Sequence, residues 1–155
     1  MKKRMLNVLW IEGAQEEICA SGYREELMNY LNAKGQDVRL VHVSTFNDAW
    51  MMLSTKTWHL VVLDYYLPKD KEDKSCGVFD SGAGALLLRR LYKDIVSLAS
   101  RRFPVVLYSA FPLHGDKEKV MRTLLKDGDA WLEMGIDTID QFIEKLAPIL
   151  DRVGA

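Results

Sequence analysis

The feature that most constrains this chain is a set of apolar runs too short to be helices and lacking strict alternation. They lie at Met5–Ile11, 38–43, 60–63 and 105–108, with a weaker run at 130–132. A strand with one wetted face alternates polar and apolar side chains. Runs that are apolar at nearly every position read instead as strands covered on both faces, which means a parallel sheet sandwiched by helices. The intervening segments have helical period. Phe46, Ala49, Trp50 and Leu53 follow i, i+3, i+4, i+7, with Thr45 and Asp48 at capping-box spacing. Tyr23, Leu27, Tyr30 and Leu31 run toward Gly35, a plausible residue just past a helix end. Leu87, Leu91, Ile95 and Leu98 mark a long middle helix, Val120, Leu124 and Leu125 another, and Ile136, Ile139, Ile143, Leu146 and Leu150 the last. Five strands alternating with five helices predict right-handed crossovers and a doubly wound α/β sheet.

Composition narrows the function classes. At 155 residues the chain has about one domain's worth of length, and 48% hydrophobic residues suffice for a sizeable core. Lys and Arg number 21 against 22 Asp and Glu, so the charge excess that phosphate-backbone binding needs is missing and nucleic-acid binding is disfavoured. Cys19 and Cys76 stand far apart, outside any zinc or disulfide-scaffold spacing. No apolar run approaches the roughly 18 residues of a membrane span. The basic start Lys2-Lys3-Arg4 precedes a run broken by Asn7 and closed by Glu12, which reads as a first strand rather than a signal peptide. These features predict a reduced, cytoplasmic protein of one domain spanning residues 1–155.

In such a sheet, ligands sit outside the carboxyl ends of the strands, so the strand-end residues carry the functional information. They are Glu12, Asp64, Ser109 and the pair Glu133-Met134, bordered by polar loops at 13–22 and 69–81. A lone strand-end Asp most often bonds a turn. Asp64, however, has Glu12 beside it if the first and third strands are neighbours, and a hydroxyl ends the next strand. Two carboxylates and a hydroxyl at one edge can hold Mg²⁺, and a carboxylate there can attack phosphorus. His42 and His59 lack a Cys or acid at ligand spacing and are assigned structural roles, as are Trp10, Trp50 and Trp58. Neither a dinucleotide fingerprint nor a GxxxxGK[ST] loop occurs, so nucleotide chemistry is unsupported.

With these residues in view, the chain resembles the receiver domain of two-component response regulators along essentially its whole length. The resemblance is carried by the Val8-to-Glu12 strand, by Asp64-x-x-Leu67-Pro68, by Gly82-Ala83-Gly84-Ala85-Leu86-Leu87 and by the segment from Pro104 through Ser109 to Ala110. It implies a flavodoxin-like five-stranded parallel sheet of order 2-1-3-4-5 and a phosphoacceptor at Asp64. It further implies a phosphate-contacting switch hydroxyl at Ser109, an aromatic switch at Trp131, and a Mg²⁺ site formed by Glu12, Asp64 and the backbone carbonyl of Tyr66. Partners implied are a histidine kinase or another signalling protein, and a homodimer through the fourth helix, fifth strand and last helix.

Two departures alter the expectation. Receivers usually carry two adjacent acids after the first strand, whereas this chain has Glu12 followed by Gly13. The lysine that follows their fifth strand matches Met134. Loss of a metal-binding acid and of a cation leaves the pocket's net charge nearly unchanged while weakening both Mg²⁺ binding and phosphoryl stabilisation. The sequence therefore predicts a stand-alone, atypical, non-enzymatic receiver with weak Mg²⁺ binding and weak or absent phosphorylation. A conventional receiver using Glu12, and a flavodoxin-like ligand binder or enzyme, are the alternatives.

Overall fold

The computed structural model describes residues 5–13, 17–64, 67, 83–90, 103–109, 115–125, 129–133 and 139–154. All five apolar runs become parallel strands: β1 (Met5–Ile11), β2 (Asp37–Val43), β3 (Leu60–Asp64), β4 (Val105–Ser109) and β5 (Ala130–Glu133). They form one sheet of order β2-β1-β3-β4-β5, with helices α1 (Glu17–Ala33), α2 (Phe46–Thr55), α3 (Ala83–Arg90), α4 (Asp116–Leu124) and α5 (Ile139–Gly154) between and after them. The predicted architecture and strand order are those observed. Among the described residues no helix is long and apolar enough to cross a membrane.

Side-chain parity divides the core into two layers. Leu9, Ile11, Val61, Leu63, Val105 and Leu107 face Phe46, Ala49 and Leu53 of α2 and Leu87 of α3. Leu6, Val8, Trp10, Leu60, Val62, Val106 and Tyr108 face Leu27 and Leu31 of α1 and Phe142, Leu146, Ile149 and Leu150 of α5. Each fully buried side chain of this size contributes about 1.5–3 kcal/mol relative to exposure, so both layers help hold the helices against the sheet. Every residue of β3 is buried. β2 is different: it forms the sheet edge, and its residues are exposed or half-buried, so its apolar run does not indicate cover on both faces.

The caps act where the sequence placed them. Thr45 is extended at φ −133° and accepts a hydrogen bond from the Asp48 amide at 3.2 Å, which satisfies one of the orphan N–H groups opening α2. Gly35 takes φ +78°, and the Gln36 amide reaches back to the Leu31 carbonyl at 3.1 Å, closing α1. In α5 the buried stripe is Phe142, Leu146, Ile149 and Leu150, with Ile143 only partly buried, so it is rotated from the predicted one. The rotation follows from Phe142, whose ring packs edge-on against Tyr23 at 4.8 Å and tilted against Trp10 at 6.3 Å. Only the Ala83–Arg90 part of the predicted middle helix lies among the described residues; Leu91, Ile95, Leu98 and Ile136 lie outside them.

Chemical denaturation should rank three substitutions. Phe142→Ala should cost about 3–5 kcal/mol and Thr45→Ala about 1 kcal/mol. Met51→Ala, at a side chain 57% exposed, should stay within about 0.5 kcal/mol of the parent.

Candidate functional site

Strand register assembles the carboxyl edge of the sheet. Ile11 is opposite Leu63, Asp64 opposite Tyr108, Tyr108 opposite Leu132, and Ser109 opposite Glu133. The Glu12 amide donates to the Val43 carbonyl at 3.1 Å and extends the β1 ladder by one residue. Glu12, Asp64 and Tyr108 thus form one row across the sheet, with Gly13 and Ser109 one step farther out. By parity Glu12 continues the series Leu6, Val8, Trp10, and Asp64 the series Leu60, Val62, so both acids belong to the layer covered by α1 and α5.

Both acids are fully buried. An ionised carboxylate removed from water is costly unless charges and hydrogen bonds replace its hydration. Glu12 has those replacements on both oxygens. Arg24 of α1 pairs with Oε1 through its Nη1. The Tyr108 hydroxyl of β4 donates to Oε2 at 3.1 Å. His42 of β2 places Nε2 3.5 Å from Oε1 and 3.4 Å from the Glu12 carbonyl oxygen. Burial pushes the Arg24 pKa below its ordinary value, an effect opposed by the neighbouring Tyr108. A guanidinium still keeps its proton across the range in which a carboxylate ionises.

The predicted residues therefore fall into three groups. Glu12, Asp64 and the backbone of Ser109 come together at one edge, as expected. Trp131 lies one position before Leu132 and packs in the opposite layer, where the Arg122 guanidinium sits 5.2 Å above its ring. Tyr66, Met134 and Pro68 lie outside the described residues, as does the side chain of Ser109. His59 has the structural role expected of it, accepting from the Asn7 amide at 2.9 Å through Nδ1.

Sequence reasoning missed Arg24, Tyr108 and His42. A signal for the first existed, because Arg24, Leu27 and Leu31 share the i, i+3, i+7 stripe that faces the sheet, and a cation on such a stripe needs an acid beneath it. Tyr108 belonged to an apolar run in which its hydroxyl was not weighed. His42 sits level with Trp10, two residues short of Glu12, a relation visible only once β2 is registered against β1.

No family model and no curated protein matches the chain. Solved structures do match it. A CheY-like response regulator receiver domain from Methylobacillus flagellatus superposes with a TM-score of 0.61 at 20% identity, covering 94% of this chain and 99% of that one. One from Methanospirillum hungatei gives 0.62 at 13% identity and 97% of both chains. The receiver domain of a sensor histidine kinase from Pseudomonas aeruginosa, which has a magnesium ion coordinated in its active-site cleft, gives 0.58 at 18% identity, covering 98% and 100%. At these identities the likeness is one of fold, the CheY-like, flavodoxin-like arrangement that the strand order already defines.

Removing single donors to Glu12 should expose their unequal weight. Tyr108→Phe deletes a hydrogen bond to a buried carboxylate and should lower stability by about 1.5–3 kcal/mol in urea denaturation. His42→Ala, at a partly exposed side chain, should cost less than about 1 kcal/mol.

Proposed function

We propose that this chain is a receiver-type signalling domain that works through protein contacts, with phosphorylation at Asp64 weak or absent. The observation that carries the reading is the engagement of Glu12, whose two carboxylate oxygens already face Arg24 and Tyr108. In a metal-dependent receiver, Mg²⁺ supplies charge neutralisation for an incoming phosphoryl group. The described residues do not fit that ion: Glu12 is occupied, Gly13 brings no carboxylate, and among them no three His, Cys, Asp or Glu side chains group as metal ligands. The complete burial of Asp64 also opposes attack on a phosphodonor, which requires an accessible carboxylate oxygen. In sequence, Met134 stands where receivers carry the lysine that pairs with phosphoryl oxygens, and it brings no charge.

On this reading Asp64 is the residual phosphoacceptor, Ser109 the hydroxyl that would meet a phosphoryl group and Trp131 the aromatic switch, while Tyr66, whose backbone carbonyl the resemblance assigns to Mg²⁺, lies outside the described residues. A histidine kinase or another signalling protein is the partner. The contact surface is formed by α4, β5 and α5, where Lys119, Arg122 and Glu144 are exposed, and a second copy can use the same face. Arg122 joins that surface to the switch position, because it holds Glu118 at 2.8 Å while covering the Trp131 ring.

Acetyl phosphate with Mg²⁺, followed by intact-mass measurement, tests the reading. Wild type should show only a minor phosphorylated fraction. Gly13→Asp together with Met134→Lys should raise it several-fold, because one restores metal-binding carboxylate density and the other meets the phosphoryl charge. Wild type labelled on Asp64 as fully as the double variant would establish a conventional receiver instead. For the contact surface, charge reversal at Lys119 and Arg122 should weaken self-association and partner capture; unchanged behaviour in both would remove that surface.

A further inference from the structure

We infer that Arg24 supplies from within the chain the positive charge that a bound divalent cation supplies elsewhere, so that the Glu12–Asp64 edge is held together without metal. The inference rests on the reading above and names how the site is maintained in its resting form. Glu12 and Asp64 are adjacent in register and both wholly buried, a pairing that repels itself in a low-dielectric interior unless a cation lies alongside. Arg24 is that cation. It is placed on the leucine stripe of α1, where an apolar residue would otherwise pack, and its guanidinium meets Oε1 of Glu12.

Charge arithmetic argues against a second cation there. With both acids ionised and His42 neutral, two carboxylates and one guanidinium leave a single negative charge among the described groups, and a divalent ion added beside Arg24 would turn the pocket positive. Ligand geometry argues the same way. Mg²⁺ demands near-octahedral oxygen ligands at about 2.0–2.1 Å, whereas one Glu12 oxygen faces a guanidinium and the other accepts from the Tyr108 hydroxyl at 3.1 Å. Replacing the guanidinium with a neutral side chain should therefore convert a metal-indifferent edge into a metal-dependent one.

Thermal unfolding of the full chain in 0 and 10 mM MgCl₂, matched in ionic strength with NaCl, reads this directly. Wild-type Tm should move by less than about 1 °C. Arg24→Gln should unfold at a lower temperature and regain about 3–6 °C with Mg²⁺ once the ion exceeds its dissociation constant roughly tenfold. Arg24→Lys, which keeps the charge, should stay Mg²⁺-indifferent and provides the comparison if Arg24→Gln does not fold. A wild-type or Arg24→Lys Tm that rises with Mg²⁺ by several degrees would overturn the inference, as would a folded Arg24→Gln that ignores the ion. The acetyl-phosphate result is separate. Strong wild-type labelling with a Mg²⁺-indifferent Tm would reject weak phosphorylation and keep the role of Arg24, while poor labelling with a Mg²⁺-dependent Tm would do the reverse.

Discussion

A buried carboxylate must be answered by its surroundings, and at Glu12 the answer comes from three different elements. Arg24 reaches it from α1, Tyr108 from β4 and His42 from β2, while its own backbone continues β1. β3 lies between β1 and β4, so the Tyr108 contact spans the strand that ends in Asp64. The first helix is likewise fixed over the sheet by more than its leucines. An ordinary apolar seam tolerates small shifts, but a guanidinium–carboxylate pair with a fully buried carboxylate does not, because separating the charges leaves the carboxylate desolvated and unpaired. The strand ladders place Asp64 beside Glu12, and the Arg24–Glu12 pair ties α1 to the same edge.

This arrangement separates the fold from the chemistry that often accompanies it. The strand order and the crossovers bring Glu12, Asp64 and Ser109 to one edge whatever the edge is used for. Side chains decide the use. Here Glu12, the register neighbour of Asp64, is committed to internal partners, and in the opposite layer Arg122 packs on Trp131. A cation over an indole is worth about 0.5–1 kcal/mol when exposed, enough to bias the ring's setting and small enough for a partner to displace. On the proposed reading, recognition through α4 and β5 needs no ion at the carboxyl edge.

Most of the fold was legible because burial leaves a compositional trace. Leu60, Val61, Val62 and Leu63 read as a strand covered on both faces, and each is buried. The spacing of Phe46, Ala49 and Leu53 located the face of α2 that packs, and Thr45 located its start. Strand order came from resemblance rather than from periodicity, which carries no information about which strands are neighbours. Edge position was illegible for the same reason, so β2 read as buried. The candidate site was half legible: strand ends are marked by the polar residue that closes an apolar run, which found Glu12, Asp64 and Ser109. Arg24, His42 and Tyr108 act on Glu12 across separations of 12, 30 and 96 residues, and contacts of that kind become visible only when register is known.

Arg24 answers the charge of Glu12. A double-mutant cycle with Glu12→Gln and Arg24→Met, measured by urea denaturation without divalent ions, isolates that interaction from the effects of each substitution alone. The coupling should be favourable by about 1.5–3 kcal/mol, with the double variant closer to wild type than the sum of the single losses implies. A coupling below about 0.5 kcal/mol would mean that the two groups do not depend on each other, and would contradict that pairing.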